Sequence, residues 1–445
     1  MANKRKYKKR NPQPAQALVR LSQCMIVKNE EKNIETALGW AKGVAFEQIV
    51  VDTGSTDRTV EIAEKLGAKI FHFEWIDDFS AAKNYAIEQC KGNWIAFLDA
   101  DEFFKPDDVK TLMILLKQVQ SDPELRRTVN AINCPWAHVD NNGVPFSVND
   151  QERIFRNIPE TRYEGKIHEQ IALDKETIAH TTDFTIIHTG YSQSSYAETG
   201  KLDRNIEMLR QNLAEKPEDY NAKAYLADSL SNIGTEDCNA EAEEIYKDVI
   251  ENGKGVFNQL KKKAYLFLVN RYSALPDMLP VCEELCHKAL REMPGDIDIE
   301  VFLGIIYNRR GNYQEAWDVL RESGEKLLNS KSVDESAVFS ANPVHVFAQL
   351  VIAAEATRNI EGVVRYATMI LAEDKNRPDA LGAYIKTLFD NNVSEDEAFS
   401  LLGKLYDYKD PQDLMLIARA AKNWGALGFA KRIAEIAMDG TAASR

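Results

Sequence analysis

Long apolar runs are missing from this chain. No stretch approaches the roughly 18 uncharged apolar residues that a membrane span requires, and no apolar core follows the basic start Met1 to Arg10. Neither a membrane anchor nor export is therefore expected, and a cytoplasmic location is. Cysteine is sparse and scattered: Cys24, Cys90, Cys134, Cys238, Cys282 and Cys286 show no framework spacing, which excludes a disulfide scaffold and suits a reducing compartment. Positive charge is in deficit, with 55 Lys and Arg against 69 Asp and Glu and a net charge of −14. That excludes nucleic acid as the main partner, since its binding proteins carry a basic face. The exception is local: Lys4, Arg5, Lys6, Lys8, Lys9 and Arg10 precede Pro12 and Pro14. Residues 1–20 read as a disordered, solvated tail, with an acidic partner or membrane surface as the functional alternative.

The chain has 445 residues, 44% hydrophobic and 28% charged. That is too long for one ordinary core and normal for a globular protein, so two or three domains are expected. The two parts have different patterns. From Leu21 to about His188, short apolar runs alternate with amphipathic stretches: strands at Cys24 to Val27, Gln48 to Val51, Lys69 to Phe73 and Trp94 to Leu98, and helices at Ile34 to Ala41, Arg58 to Leu66 and Ser80 to Gln89. This order implies an α/β fold with a doubly wound, mostly parallel sheet over residues 21–192. After about Tyr191 strand signals vanish, and residues 193–445 read as an all-α array. Pro217 and Pro294 each open a helix-forming stretch and lie 77 residues apart, close to two helix-pair repeats of about 34 to 40 residues. The phrase from Gly311 to Trp317 resembles the turn and second helix of a tetratricopeptide repeat. Further pairs are expected over Val344 to Ala372 and Ala380 to Leu405, with Leu414 to Ala437 closing an array of the kind that builds concave surfaces.

Asp99-Ala100-Asp101 closes the apolar run Trp94 to Leu98. A buried strand there would deliver two carboxylates to the crevice where open α/β sheets bind ligands. Such a pair suits a hard divalent cation, Mg²⁺ or Mn²⁺, that shares itself with substrate phosphates. The plain alternative is an acidic loop continued by Glu102, Asp107 and Asp108. Asp52 ends the second strand as Asp99 ends the fourth, so both acids belong on one edge of the sheet. Gly54 allows a tight turn after Asp52, and Asp57 can begin the next helix; a simple strand-to-helix turn explains that phrase but not acids at several strand ends.

Val27-Lys28-Asn29-Glu30-Glu31, Val51 to Thr59 and Asp99-Ala100-Asp101 together resemble family 2 glycosyltransferases of the GT-A fold, over roughly Leu21 to His188. Arg153 to Arg156, Tyr163 to Glu169 and Ile187 to Tyr191 resemble a branch in which that domain is fused to tetratricopeptide-like helices. The branch includes the sublancin-type S-glycosyltransferases of bacteriocin precursor peptides and enzymes of surface polysaccharides. The resemblance implies a UDP-sugar donor, a divalent metal and an inverting single displacement onto a peptide or protein acceptor. Glu30 and Asp52 would hold the uracil or ribose, with Gly54 and Asp57 shaping that loop. Asp99 would contact the sugar or ribose and Asp101 the metal, with His168 and His188 as further metal or diphosphate contacts. Lys83 would touch the donor or face solvent, and Arg153 and Arg156 would touch acceptor or phosphate or form structural salt bridges. For the base that takes the acceptor's proton, Glu169 is the first choice and Asp150 the second. A cysteine acceptor would ask less of that base, because a thiol with pKa near 8.5 is partly ionised already. A homodimer through the helical half is implied by the resemblance alone.

His72, His138 and His180 read as histidines satisfied in a core. Cys282, Cys286 and His287 fall short of a structural zinc set and read as packing. Three rivals remain in view. Surface-polysaccharide extension and protein O-glycosylation fit the same residues, and a tetratricopeptide-type binding scaffold with an inactive first domain would have no chemical reason to keep Asp52, Asp99 and Asp101. A sugar nucleotidyltransferase would need a Gly-rich loop where the first strand exits into Val27-Lys28-Asn29-Glu30.

Overall fold

The structure, a computed structural model, describes residues 18–189, 201–329, 338–339 and 343–442. Most of the basic tail and the boundary expected near residue 192 lie outside the described residues. The chain divides into two compact units, Met1–Ala222 and Lys223–Arg445. No helix among the described residues is long and apolar enough to cross a membrane.

The first unit is built on a nine-stranded sheet. It begins as the alternating sequence pattern demands: β1 (Leu21–Val27), α1 (Ile34–Gly39), β2 (Glu47–Asp52), α2 (Thr59–Lys65), β3 (Lys69–His72), α3 (Phe79–Gln89) and β4 (Trp94–Phe97). These four strands lie side by side in the order β3-β2-β1-β4 and are all parallel. All four residues of β4 are buried, because parallel strands are covered on both faces and so can be apolar throughout. On one face Cys24, Ile49, Ile95 and Phe97 pack with Ala86 and Ile87 of α3. On the other, Met25 and Val50 pack with Ile34 and Leu38 of α1, and Trp94, Ala96 and Leu98 pack with Leu112 and Leu116 of α4 (Pro106–Ser121).

Beyond β4 the sheet is mixed rather than parallel. The remaining strands are β5 (Glu102–Phe104), β6 (Ala131–Val139), β7 (Pro145–Arg156), β8 (Tyr163–Glu164), β9 (Gln170–Ile171), β10 (Ile178–His180) and β11 (Ile186–His188). β7 runs antiparallel to both β4 and β6, β11 lies parallel to β6, and β5 lies antiparallel to β11. Most pairings are parallel, as expected; the long antiparallel hairpin of β6 and β7 is what the alternating pattern did not show. It carries a bulge, with Glu152 and Arg153 opposite Asn133 between the Ile132–Ile154 and Cys134–Gln151 pairs. Bulges of this kind re-aim side chains.

The second unit is helical throughout its described residues, and one apolar core runs from Ile297 to Ile433. The tetratricopeptide-like phrase does what its residues suggest. Helix Ile297–Arg310 ends on Gly311 at φ +80, and Tyr313–Asn329 follows. The stretches expected as helix pairs are observed as Val344–Ala356 with Ile360–Glu373, Pro378–Asp390 with Glu395–Leu402, and Pro411–Asn423 with Leu427–Ala442. Cys282 and Cys286 are buried, as packing requires. Interhelical approach is close at Gly362, where a Cβ would stand 2.5 Å from Trp317 and 3.1 Å from the Ala354 Cβ. Gly362→Ala is therefore expected to destabilise this unit by about 1–3 kcal/mol through overpacking, read as a lower urea midpoint; an unchanged midpoint would mean that Trp317 yields freely.

Candidate functional site

The loops leaving β1 and β2 are stitched together. Asn29 N–H donates to Ser55 Oγ (3.0 Å), Thr56 N–H to Asn29 Oδ1 (2.8 Å), Glu30 N–H to Thr59 Oγ1 (2.7 Å) and Glu31 N–H to Asp57 Oδ2 (3.1 Å). Asn29 adopts φ 59 and Gly54 φ 107, which is why a glycine stands at the second position. Burial would raise the Asp57 carboxyl, but the Thr59 hydroxyl and nearby amides hold it below its ordinary value. Glu30 accepts from Asn33 Nδ2 at 2.8 Å. Asp52 is buried at the end of β2, accepts from the amides of Gly54 and Ser55, and has His72 Nδ1 at 3.4 Å. His72 and His180 are both exposed, which corrects the expectation that they are core histidines.

The second cluster gathers where β4 ends. Register places Asp52 opposite Val27 and Phe97 opposite Cys24. Asp52 and Asp99 thus share the carboxyl edge of the sheet, with β1 between their strands. Strand alternation turns Asp52 towards the face of Met25 and Val50, and Asp99 towards the face of Phe97 and α3. Lys83 of α3 lies beneath Asp99: it is 3% exposed, its Nζ is 3.4 Å from Asp99 Oδ1 and 2.7 Å from Glu169 Oε1, and it packs over the rings of Phe97 and Tyr163. The solvated alternative for Lys83 is overturned. Glu169 reaches it because α3 is fastened to the 163–169 segment: Asn84 exchanges bonds with the Tyr163 backbone, Ser80 Oγ donates to Gly165 O, and Phe79 N–H to Lys166 O.

From the other side Arg153 donates to Asp99 Oδ2 at 2.9 Å and to Glu102 Oε1 at 2.7 Å. Glu102 is fully buried and also accepts the Asp99 amide. Burial opposes every charge here, but Lys83 and Arg153 hold the Asp99 carboxyl well below its usual range. Burial raises that of Glu102, only partly offset by Arg153. Lys83, despite burial, is held charged by Asp99 and Glu169.

Asp101 has a different environment. β5 follows it at once and pairs with β11, so His188 Nε2 arrives 3.4 Å from Asp101 Oδ2, while Thr189 donates its amide and hydroxyl to the Asp101 carbonyl. His188 Nδ1 is in turn 2.9 Å from His138 Nδ1. Burial first, and His188 second, push the His138 imidazole down to about 4. Asp101 and His188 together could offer a cation one carboxylate oxygen and one imidazole nitrogen. No group of three or more His, Cys, Asp or Glu that could hold a metal occurs among the described residues. A hard cation at this pair would depend on phosphate and water oxygens for the rest of its shell, which is the habit of Mg²⁺ and, with imidazole tolerated, Mn²⁺. The donor set therefore fits such a group.

One expected residue, Arg156, stands elsewhere. Arg156 projects to the α4 face, where it bonds Val129 O and Gln120 Oε1 over Trp94; among the described residues the salt bridge weighed for it does not occur, and the structure does not bring it to the acids. His168 has φ 53 in the loop before Glu169, and Asp150 is exposed on β7 opposite Pro135. Sequence reasoning missed Glu102, taken as loop acid; His138, taken as core, is buried as expected, but its contact with His188 was not foreseen. Glu102 carried a signal in its place directly after the acidic triplet; His138 carried none, because its partner lies on a distant strand.

Residues 22–122 match the family described as glycosyl transferase family 2. The chain is 34% identical over 228 residues to a TPR repeat-containing protein of Synechococcus elongatus, covering 49% of this chain and 53% of that protein. It is 28% identical over 198 residues to the SPbeta prophage-derived glycosyltransferase SunS of Bacillus subtilis, covering 44% and 45%. The chain thus spans about half the length of the curated relatives it matches. Among solved structures it is similar to S. aureus TarS 1-349 in complex with UDP-GlcNAc, with 16% identity, a TM-score of 0.31 and coverage of 69% of this chain and 91% of that one.

Proposed function

We propose that this chain, whose first unit carries a family 2 glycosyltransferase domain, moves a sugar with inversion from a UDP-sugar to a peptide or protein acceptor, a cysteine thiol among the candidates. The observation that carries this reading is the contrast between two neighbouring carboxylates on the sheet's carboxyl edge. Asp99 is clamped by Lys83 and Arg153, whereas Asp101, among the described residues, meets an imidazole and no such cation. Such an edge is where open α/β sheets take ligands. Asp52 and Glu30 hold the uracil or ribose from the stitched loops, and Asp57, its oxygens occupied by Thr59 and Glu31, holds the loop. Asp99, fixed in place and charged, accepts from donor hydroxyls. Asp101 and His188 would hold Mg²⁺ or Mn²⁺, which would supply charge neutralisation for a departing nucleoside diphosphate. Arg153 and Lys83 keep the acids from repelling one another as the donor's phosphates approach.

For the proton of the acceptor, Glu169 is poorly placed, since Lys83 already holds its carboxylate at 2.7 Å. It serves as the second anchor of Lys83. That leaves Asp150, exposed on β7, as the base of this reading.

Calorimetric titration of the full chain with UDP tests the donor site. Binding is expected with Mn²⁺ and is expected to weaken at least about tenfold in chelator. Asp52→Asn should weaken it by about tenfold, the worth of one charged hydrogen bond. No UDP affinity at any Mn²⁺ concentration would return the first unit to a scaffold role. Intact-mass screening of peptides against UDP-glucose and UDP-N-acetylglucosamine then addresses the acceptor, with Cys→Ser peptides separating thiol from hydroxyl.

A further inference from the structure

Two histidines of this chain meet nitrogen to nitrogen. His138 of β6 and His188 of β11 face each other in the parallel register, both buried, with Nδ1 atoms 2.9 Å apart and rings crossing at 82°. Trp136 packs against both, with centroids 4.1 Å from His138 and 4.7 Å from His188, which restricts either ring from turning. A hydrogen bond between two imidazole nitrogens needs one proton between them, so one ring donates and the other accepts.

The direction of that bond fixes the far nitrogen of His188. When His138 donates, neutral His188 carries its proton on Nε2 and offers it to Asp101 Oδ2, 3.4 Å away. When His138 accepts, the His188 proton sits on Nδ1, and Nε2 turns a lone pair towards the same carboxylate. Only the second arrangement gives a cation two lone pairs; without a cation those lone pairs repel, so the first is preferred. We propose that His138 is the positioning residue that decides which nitrogen of His188 carries the proton, and so switches Asp101 and His188 between a hydrogen-bonded pair and a cation-binding pair. The switch conserves protons: one leaves His188 Nε2, the shared proton crosses from His138 Nδ1 to His188 Nδ1, and one arrives on His138 Nε2. Both rings stay neutral. The inference rests on the reading of Asp101 and His188 as the cation's protein ligands.

The test uses the full chain with UDP, Mn²⁺ counted by the electron paramagnetic resonance of the free ion, and histidine-selective ¹⁵N NMR with Mg²⁺. Asparagine can place its amide oxygen near the position of Nδ1 and accept there from an N–H. His138→Asn is therefore expected to bind Mn²⁺ within about threefold of the parent, while His138→Leu loses about 10–100-fold, the usual effect of removing a ligand's outer partner. In the parent, the His188 proton is expected on Nε2 without metal and on Nδ1 with Mg²⁺ and UDP. Parent-like Mn²⁺ affinity in His138→Leu, or a His188 proton that stays on Nε2 with Mg²⁺ and UDP, overturns the inference; the NMR arm needs no variant to fold. Failure of the underlying reading looks different: the parent takes up no Mn²⁺, or His188→Ala binds it as the parent does.

Discussion

Replacing Asp101 by alanine is expected to lower sugar transfer by about 10²–10³-fold, the scale on which one preorganised group that stabilises developing charge acts. The fold should be indifferent to the change. Among the described residues the Asp101 side chain holds no lysine or arginine, its carbonyl keeps both bonds from Thr189, and His188 keeps His138. Asp99 is a worse target for the same question, because its removal leaves Lys83 and Arg153 facing each other and mixes stability into the rate. The measurement is transfer or donor hydrolysis with Mn²⁺, beside a thermal melt. Turnover within about threefold of the parent, or activity undiminished by chelator, removes the cation from the reading.

Arg153→Leu is expected to cost the first unit about 3–5 kcal/mol, because it strips the counter-charge from a fully buried Glu102 and half of the clamp on Asp99. The Arg153 side chain is 13% exposed, so little water is available to replace it. The informative comparison is the double variant with Glu102→Leu. With both charges gone the buried orphan disappears, and a large part of the loss should return, as a coupling of contacting residues requires. Denaturant-dependent hydrogen exchange of the β4 and β7 peptides in the full chain reports this locally. A loss under about 1 kcal/mol would place Arg153 among solvated surface charges.

The two arginines show how far sequence reasoning reaches. Arg153 and Arg156 read alike in the sequence, as contacts of acceptor or phosphate or as structural salt bridges, yet three positions along one strand is an odd step and sends them to opposite faces. The signal was present in the spacing but useless without β7 being recognised as a strand of twelve residues. Glu169 had the opposite history. Its phrase was legible, but its partner Lys83 was not, because the 163–169 segment and α3 meet only through tertiary contacts such as the Asn84–Tyr163 pair. His138 could not be singled out at all before β6 and β11 were paired.

The sequence by itself determined the order of strands and helices in the first half, the acids at the ends of β2 and β4, the turn at Gly54 and the helical character of the second half. Each of these follows from local periodicity, strand ends or backbone conformation, which neighbours in the chain dictate. Only the tertiary structure decided which carboxylate is clamped and which is presented. Lys83, Arg153 and His188 come from a helix, a bulged antiparallel strand and an edge-proximal parallel strand, and the charge state of a buried acid is set by whatever the fold brings within a few ångströms of it.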